Sequence, residues 1–576
     1  MEDYARTALM GMLTATVTGP DLAEVLGPVT GRGPVIDALI DGLGPVVVRL
    51  LQVGIGLGGR AAAGTVSLGE VEQELRTSGR ELIRAAMQAV MDAASAAEER
   101  RPGGVDGPDG VRRRRVEDGH ARSVATVFGR IRVCRLAYRA PLAANVHPLD
   151  EVLDLPAGLY SPGLARLCAQ ESVRGSFTDA ADAVEYATGV RIGTRQIIEL
   201  TRAAAADATA FYADPGREVS AAAPDDALVI TADGKGVPVR PEALRPGTAK
   251  LATKAKTSAT DDSSGSKPHR KRMAELVCVY DLTPVPRTVE DILPTLIGDG
   301  DGEGDGEGDG EGEGDGEGDG EGEGEGEGEG EGEGEKPAAV KAPTATGKWL
   351  TASLIEDIPT VIAAGFDEAT RRDPTHTRDW VALVDGNTTQ IEAITAQAAA
   401  RGVDVTILVD YLHVAGYVWD AAKALFCTDT TAGMTLARTW VHERSRMILH
   451  GRALEVADRI RTRVRDSKLT TAQRKSALEA ATYLTNKAPH LDYPTALARG
   501  WPIATGVIEG ACRHLVQDRM DITGARWGLD TAQAVLTLRA IATTGDLAQY
   551  WRYHQQQEHH RTYSASTTPT TPALAA

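Results

Sequence analysis

Apolar residues cluster along this chain in two distinct periods. ALVITAD (227–233), WVALVD (380–385) and VTILVD (405–410) are short unbroken apolar runs rich in β-branched residues, each ending on an aspartate. Runs of that length and composition predict buried strands. VPVR (237–240) predicts the start of a further strand, and MAELVCVYDL (273–282) another. TQIEAITAQAAAR (389–401) and VAGYVWDAAKALF (414–426) instead space their apolar residues as one face of a helix.

The order that results, three strands followed by strands alternating with helices, is that of a ribonuclease-H-like sheet. We assign this core to residues 225–430, with disordered inserts at 250–272 and 298–345, built from a basic, Ser-rich segment and a Gly/acid repeat that offer almost no apolar side chains for a core. A helical insertion follows at 431–500, then the last core helices at 501–550 and a disordered polar tail at 551–576. Ahead of the core, 1–101 reads as helical, and the Gly/Pro-rich 102–122 as a linker carrying the run RRRR (112–115). Residues 123–215 predict a hairpin with one arginine-rich face and then two helices in helix-turn-helix spacing. The turn falls at Thr188 and Gly189, with Thr194 as N-cap of the second helix. Arg191, Arg195, Gln196 and Arg202 would then be available to a DNA groove, although helix pairs of this kind also serve as plain packing. The whole is a multidomain α+β and α/β chain.

Charge changes the picture in one place only. The net charge of −19 argues against nucleic acid until it is located: from Asp299 to Glu335 acids alternate with glycines, and these 19 acids leave 62 others against 62 Lys and Arg. Outside that repeat, local basic patches decide what the chain binds. Five scattered cysteines with no CxxC pair fit reduced thiols in a cytoplasmic compartment, with neither a disulfide framework nor a zinc site. No apolar stretch reads as a membrane anchor, and no GxGxxG follows any strand, which argues against a dinucleotide enzyme.

The three strand-end aspartates carry the chemistry. One such Asp often just caps a helix. Several on adjacent rigid strands offer the all-oxygen ligands that Mg²⁺ or Mn²⁺ takes, and two ions about 4 Å apart serve in-line phosphoryl displacement. A third acid is then needed. Glu509, in WPIATGVIEGACRHLVQDRM, is the first candidate; its plain alternative is a surface pair with Arg513. Asp410 is its rival. Arg513, His514, Arg519 and Arg526 follow closely and would hold a DNA backbone, while Trp527 would stack on an unpaired base or else lie in the core.

Taken together, ITADGKGVPVR, VALVDGNTTQI, VTILVDYLHVAGYVWDAAKALF and TGVIEGACRHLVQDRMDITGARWGLDTAQAVLTLRAI resemble bacterial insertion-sequence transposases of the ISKra family, acid-triad (DDE) enzymes related to the Mutator-like group. The resemblance covers roughly residues 123–545. It implies a DNA transposase of the cytoplasm and nucleoid that cleaves and joins element ends, with Asp233, Asp385 and Glu509 as catalytic acids and ligands of two Mg²⁺ or Mn²⁺ ions. Asp410 and His413 match its [C/D]xxH signature, a supporting motif. The implied partners are double-stranded DNA, as terminal inverted repeats and target, and a second copy of the chain. Two alternatives stand beside it: a catalytically inactive DNA-binding relative, and a metal-dependent nuclease without strand transfer.

Overall fold

The computed structural model describes residues 33–219, 223–250, 270–296 and 342–563. Within them a five-stranded mixed sheet is flanked by helices, and a smaller assembly of helices and a hairpin precedes it.

The chain starts with two long helices, α1 (Gly33–Ala62) and α2 (Leu68–Ala96), packed as an antiparallel pair. Ser67 and Glu70 form a capping box that fixes the start of α2. Next come two-residue strands β1 (Val105–Asp106) and β2 (Arg112–Arg113), then the hairpin β3 (Arg115–Thr126) and β4 (Gly129–Arg139). Residues 102–122 are therefore not a linker. Arg113 is 1% exposed, held by both Asp109 carboxylate oxygens at 2.8 Å and by the carbonyls of Ala144 and Val111. A run of four arginines conceals one that is structural. The arginine-rich face of β4 is also partly consumed, because Arg135 pairs with Asp150 and Arg139 with Glu117, leaving Arg130 and Arg132 outward.

Short α3 (Pro148–Val152) leads to α4 (Pro162–Arg174), α5 (Phe177–Thr188), α6 (Thr194–Ala204) and α7 (Ala208–Ala213). Ser176 caps α5, and Gly189 ends it at φ 72°, the left-handed conformation that a C-terminal glycine supplies. The helix-turn-helix spacing is present as drawn from sequence, except that the N-cap of α6 is Gly193 and not Thr194.

The sheet contains β5 (Ala227–Pro238), β6 (Lys271–Leu282), β7 (Ala345–Ser353), β8 (Trp380–Val384) and β9 (Val405–Val409), in the spatial order β7-β6-β5-β8-β9. β6 is antiparallel to both its neighbours, while β5, β8 and β9 run parallel. The expected strand at VPVR does not exist separately: its first two residues extend β5, which pairs with β6 through Pro238. The third strand is ATGKWLTAS (345–353) instead, which lies at the end of what was expected to be an insert. Every residue of β8 is buried, as a central parallel strand covered on both faces requires.

Helix α8 (Val289–Leu296) follows β6, α9 (Ile358–Arg372) packs across β5 to β7, and α10 (Thr388–Arg401) joins β8 to β9. After β9 come α11 (Tyr411–Leu425), α12 (Thr431–Leu449), α13 (Ala453–Asp466), α14 (Thr471–Lys487) and α15 (Tyr493–Ala498), the last four within the 431–500 span expected as a helical insertion. The last helices are α16 (Gly506–Cys512), which runs through a wide π-turn at Arg513–Gln517 into α17 (Asp518–Met520), then α18 (Leu529–Thr544) and α19 (Leu547–Tyr563). Helix α18 covers the free edge of β7: Gln533 and Thr544 accept from the backbone N–H groups of Leu354 and Leu350. Such cover removes an edge that would otherwise pair with another chain.

Two expectations at the ends need correction. Residues 551–563 are helical, and Tyr550, Trp551 and His554 are buried against Phe211 and Ala208 of α7. Their burial on an aromatic cluster explains why a polar-looking sequence is ordered. The expected inserts fall largely on 251–269 and 297–341, outside the described residues, as do 1–32 and 564–576. All five cysteines are unpaired thiols, and among the described residues no helix is long and apolar enough to cross a membrane.

Candidate functional site

Strand register brings the three aspartates into one row. Ala232 of β5 is paired with Val384 of β8, and Val384 with Val409 of β9. Asp233, Asp385 and Asp410 are the residues that follow, so they form one row across three neighbouring parallel strands, each about 4.8 Å from the next. Asp385 and Asp410 stand just past the ends of β8 and β9, but Asp233 does not end its strand as expected: it lies inside β5, which runs on to Pro238 because it keeps pairing with β6.

Their environments differ. Asp233 is half-buried; its Oδ1 accepts from the Gly234 N–H at 2.6 Å and its Oδ2 from the Cys512 thiol at 3.3 Å. Asp385 is also half-buried, and its Oδ1 accepts from the Asn387 N–H at 2.8 Å across a turn through Gly386. Gly386 has φ 96°, and an added Cβ would come within 2.5 Å of the Tyr483 hydroxyl, so only glycine fits there. That hydroxyl donates to the Asp385 carbonyl at 2.9 Å, and the Tyr483 ring stacks on Tyr417 with centroids 3.8 Å apart. Burial pushes the Tyr483 hydroxyl far up, with Tyr417, Asp385 and Asp410 adding to it, so it stays protonated and donating.

Asp410 is 1% exposed and fully occupied. Oδ1 accepts from the N–H groups of Leu412 at 2.6 Å and His413 at 3.4 Å, capping α11; Oδ2 accepts from the Thr505 N–H at 2.9 Å and from its hydroxyl. A carboxylate with both oxygens engaged by backbone donors is a brace and lacks a free lone pair for a cation without dismantling α11. Of the two rivals for third acid, the geometry favours Glu509.

Glu509 is exposed in the first turn of α16, and its Oε1 lies 3.2 Å from the Thr505 hydroxyl. That hydroxyl has one proton to give, so it serves Asp410 or Glu509 but not both at once. One turn further on, Cys512 reaches Asp233. Burial first, and Asp233 second, push the Cys512 thiol well up, which keeps it a protonated donor. Helix α16 is thus pinned at both ends to the row of acids, by Thr505 to Asp410 and by Cys512 to Asp233. The π-turn that follows is a device often found beside functional sites.

Sequence reasoning missed Glu275. It lies on β6 opposite Gly234, its Oε2 3.4 Å from where a Cβ on Gly234 would stand. Burial raises its carboxyl, Arg245 opposes this, and Asp233 and Asp385 add to the rise. Nothing in MAELVCVYDL, which also holds Asp281, sets Glu275 apart in the sequence. Thr505, Cys512 and Tyr483 were missed too, since nothing in their local spacing sets them apart.

The other assigned residues separate into surface and core. His413 is exposed beside Tyr417, with ring centroids 6.2 Å apart, and makes no bond to Asp385. Arg513, His514 and Arg526 are exposed, His514 facing Asp518 at 3.7 Å. Arg519 and Trp527 are 4% and 6% exposed and are not available to DNA: the guanidinium lies over the Trp527 and Phe177 rings, and the indole donates to the Met520 carbonyl at 2.9 Å. Burial lowers the Arg519 pKa to about 10. Near α6, Arg191 and Arg195 are exposed with Glu185 and Glu199 beside them, Gln196 is half-buried, and Arg202 bonds Thr531.

The donor set at the strand edge is oxygen-rich, the chemistry a hard divalent cation takes. Among the described residues, no group of three or more His, Cys, Asp and Glu side chains stands close enough to hold a metal ion as it is. Asp233 and Asp385 are each held by a short backbone hydrogen bond, whereas the Glu509 side chain is exposed. No protein-family model matches the chain, and no curated protein matches it.

Proposed function

We propose that the chain is a DNA transposase with a ribonuclease-H-like catalytic core, cleaving and joining the ends of an insertion sequence by metal-dependent phosphoryl transfer. The observation that carries this reading is the placement of Asp233 and Asp385 side by side on adjacent parallel strands, with the helix that carries Glu509 tied to the same row by Thr505 on Asp410 and Cys512 on Asp233. The strand order, with β6 as the one reversed strand, supports it, and so does the sequence resemblance to ISKra-family transposases.

In this reading Asp233, Asp385 and Glu509 hold one or two Mg²⁺ or Mn²⁺ ions. Bound there, such ions activate the attacking oxygen and stabilise the leaving one. The chain's own part is positional. Tyr483 and Gly386 fix the turn that presents Asp385, Cys512 and the Gly234 N–H orient Asp233, and Asp410 holds the start of α16, the helix that carries Glu509. Exposed Arg513 and Arg526 attract the phosphate backbone toward this edge. Water attacks first to free a 3′-hydroxyl, which then attacks target DNA in the same site; no covalent link to protein is needed. Synapsis of two ends calls for at least a dimer on double-stranded DNA, in the bacterial nucleoid.

A catalytically silent DNA-binding relative is the second reading, favoured by the lack, among the described residues, of a preformed metal-holding group. Incubating labelled element-end duplex with the full chain in Mg²⁺, Mn²⁺ or EDTA separates the two. Divalent-dependent nicking at the ends with joined products supports transposition, nicking without joining indicates a nuclease, and binding without cleavage in either metal indicates the silent relative.

A further inference from the structure

A second basic surface lies in the N-terminal assembly, built by elements far apart in sequence. A depression of about 610 Å³ is walled by α1 (Arg49), α2 (Arg80, Arg84), the hairpin tip (Phe128 to Arg130) and the turn between α5 and α6 (Arg191). A second, of about 390 Å³, continues from it along the hairpin and shares Arg84 and Arg130 while adding Arg122 and Arg132. The two form one groove. Its single acid in the first part, Glu81, is taken up by Arg84 in a two-pronged pair, and the second part has no acid at all.

The arginines divide by role. Arg80 donates to the Tyr186 and Ala187 carbonyls, closing the end of α5, and Arg122 to the Pro156 carbonyl; these two hold the walls in place. Arg130 and Arg132 have exposed side chains with no hydrogen bond or ion pair among the described residues. Two residues apart on one strand face, they stand about 6.6 Å from each other. One DNA strand carries a phosphate at about every 3.4 Å of helix rise, so two arginines spaced in this way can each reach a different phosphate.

We propose that this groove seats the phosphate backbone of duplex DNA, independently of base sequence, with Arg130 and Arg132 as its direct phosphate contacts. It deepens the reading of the chain as a DNA-acting protein and rests on DNA being the partner, but not on catalysis. It also moves the main electrostatic contact of the N-terminal region off α6. The outer face of α6, with Arg195 and Gln196, is left for base contacts, while the groove supplies register and affinity.

The test is anisotropy of a fluorescein-labelled duplex of arbitrary sequence, about two helical turns long, titrated with the full chain across a salt series. Wild type, Arg130→Ala/Arg132→Ala, Arg130→Lys/Arg132→Lys and Asp385→Ala are compared, each first checked for an unchanged far-ultraviolet spectrum and melting temperature. The Ala pair lowers the slope of log affinity against log salt by about 2 and weakens binding alike on every sequence tried. The Lys pair restores most of it, since a phosphate contact asks for charge. Equal slope and affinity in the Ala pair overturn the proposal, as does failure of the Lys pair to recover. Asp385→Ala binding like wild type shows that affinity comes from the groove and not from the acids of the sheet; wild type that binds through the groove yet never nicks the duplex in Mg²⁺ or Mn²⁺ removes the transposase reading and leaves the groove standing.

Discussion

Thr505 grips Asp410 from two sides, its backbone N–H at 2.9 Å and its hydroxyl on the same carboxylate oxygen. The contact joins the end of β9 to the start of the helix that carries Glu509, 95 residues later. An acid that sequence alone offers as a third metal ligand is thereby a structural pin. Asp410→Ala strands buried backbone donors of α11 and of Thr505, and is expected to destabilise the protein by about 2–4 kcal/mol. Cleavage falls with it, and Thr505→Val gives a smaller loss of both. Chemical unfolding alongside a cleavage assay checks this; full stability with no activity in Asp410→Ala would return Asp410 to the metal site.

Tyr483 is expected to matter for rate more than for binding. Tyr483→Phe removes one hydrogen bond to the Asp385 carbonyl while the stack on Tyr417 survives. A loss of about 1 kcal/mol in stability is expected, with a several-fold drop in cleavage and unchanged DNA affinity. Equal cleavage in the variant would mean that the Asp385 turn holds its shape without the tyrosine.

Arg519 and Trp527 test the division between surface and core. Trp527→Ala is expected to cost about 3–5 kcal/mol, and Arg519→Ala to destabilise as well by uncovering Phe177 and the indole. DNA affinity per folded molecule stays as in wild type. A stable Trp527→Ala that binds DNA poorly would put the ring on the DNA surface.

Acid sensitivity is expected at the Arg113 anchor. Arg113 hydrogen bonds and the Val111 N–H hold the Asp109 carboxyl down at about 2, from the usual 3.8. A depressed acid stabilises the fold above its unfolded pKa and loses that contribution as pH falls through its folded pKa. Wild type therefore exceeds Asp109→Asn in melting temperature above pH 4, and the gap closes between pH 3.8 and 2. A gap that persists at the lowest pH would show that the carboxylate charge is not what Arg113 needs.

The acidic repeat carries a further expectation. Deleting 298–335 removes 19 acids from a chain otherwise balanced in charge, and so takes away a competitor for basic surface. Cleavage by the deletion variant is expected to equal or exceed that of wild type, measured as initial rate on the same duplex; a folded but inactive variant would contradict this.

The row of aspartates was legible because an apolar run closing on an acid announces itself and parallel pairing then sets such acids side by side; that β5 runs on past Asp233 was not, since its continuation depends on pairing with β6. β7 was not, since ATGKWLTAS has few β-branched residues and abuts a long low-complexity tract; its strand character comes from pairing with β6 and from the cover of α18. Arg113 and Arg519 were misjudged for a common reason: an arginine's burial depends on carbonyls, carboxylates and rings that arrive from distant segments. Glu275 and Thr505 were silent because their significance is wholly tertiary, one across a strand pair and the other across 95 residues. The polar last helix escaped for the same cause, its few aromatics being enough only once Phe211 is there to meet them.

The most direct measurement is strand cleavage and joining of labelled element-end duplex in Mg²⁺ by Asp233→Ala, Asp385→Ala and Glu509→Ala, with binding measured on the same samples. The account predicts that each binds like wild type, with Asp233→Ala and Asp385→Ala losing only the stability of their contacts to Cys512 and Asn387, while cleavage falls by on the order of a thousandfold or more, beyond the loss from removing a single electrostatic stabiliser. Glu509→Ala that cuts at the wild-type rate, with Glu275→Ala inactive in its place, would contradict the assignment of the third acid.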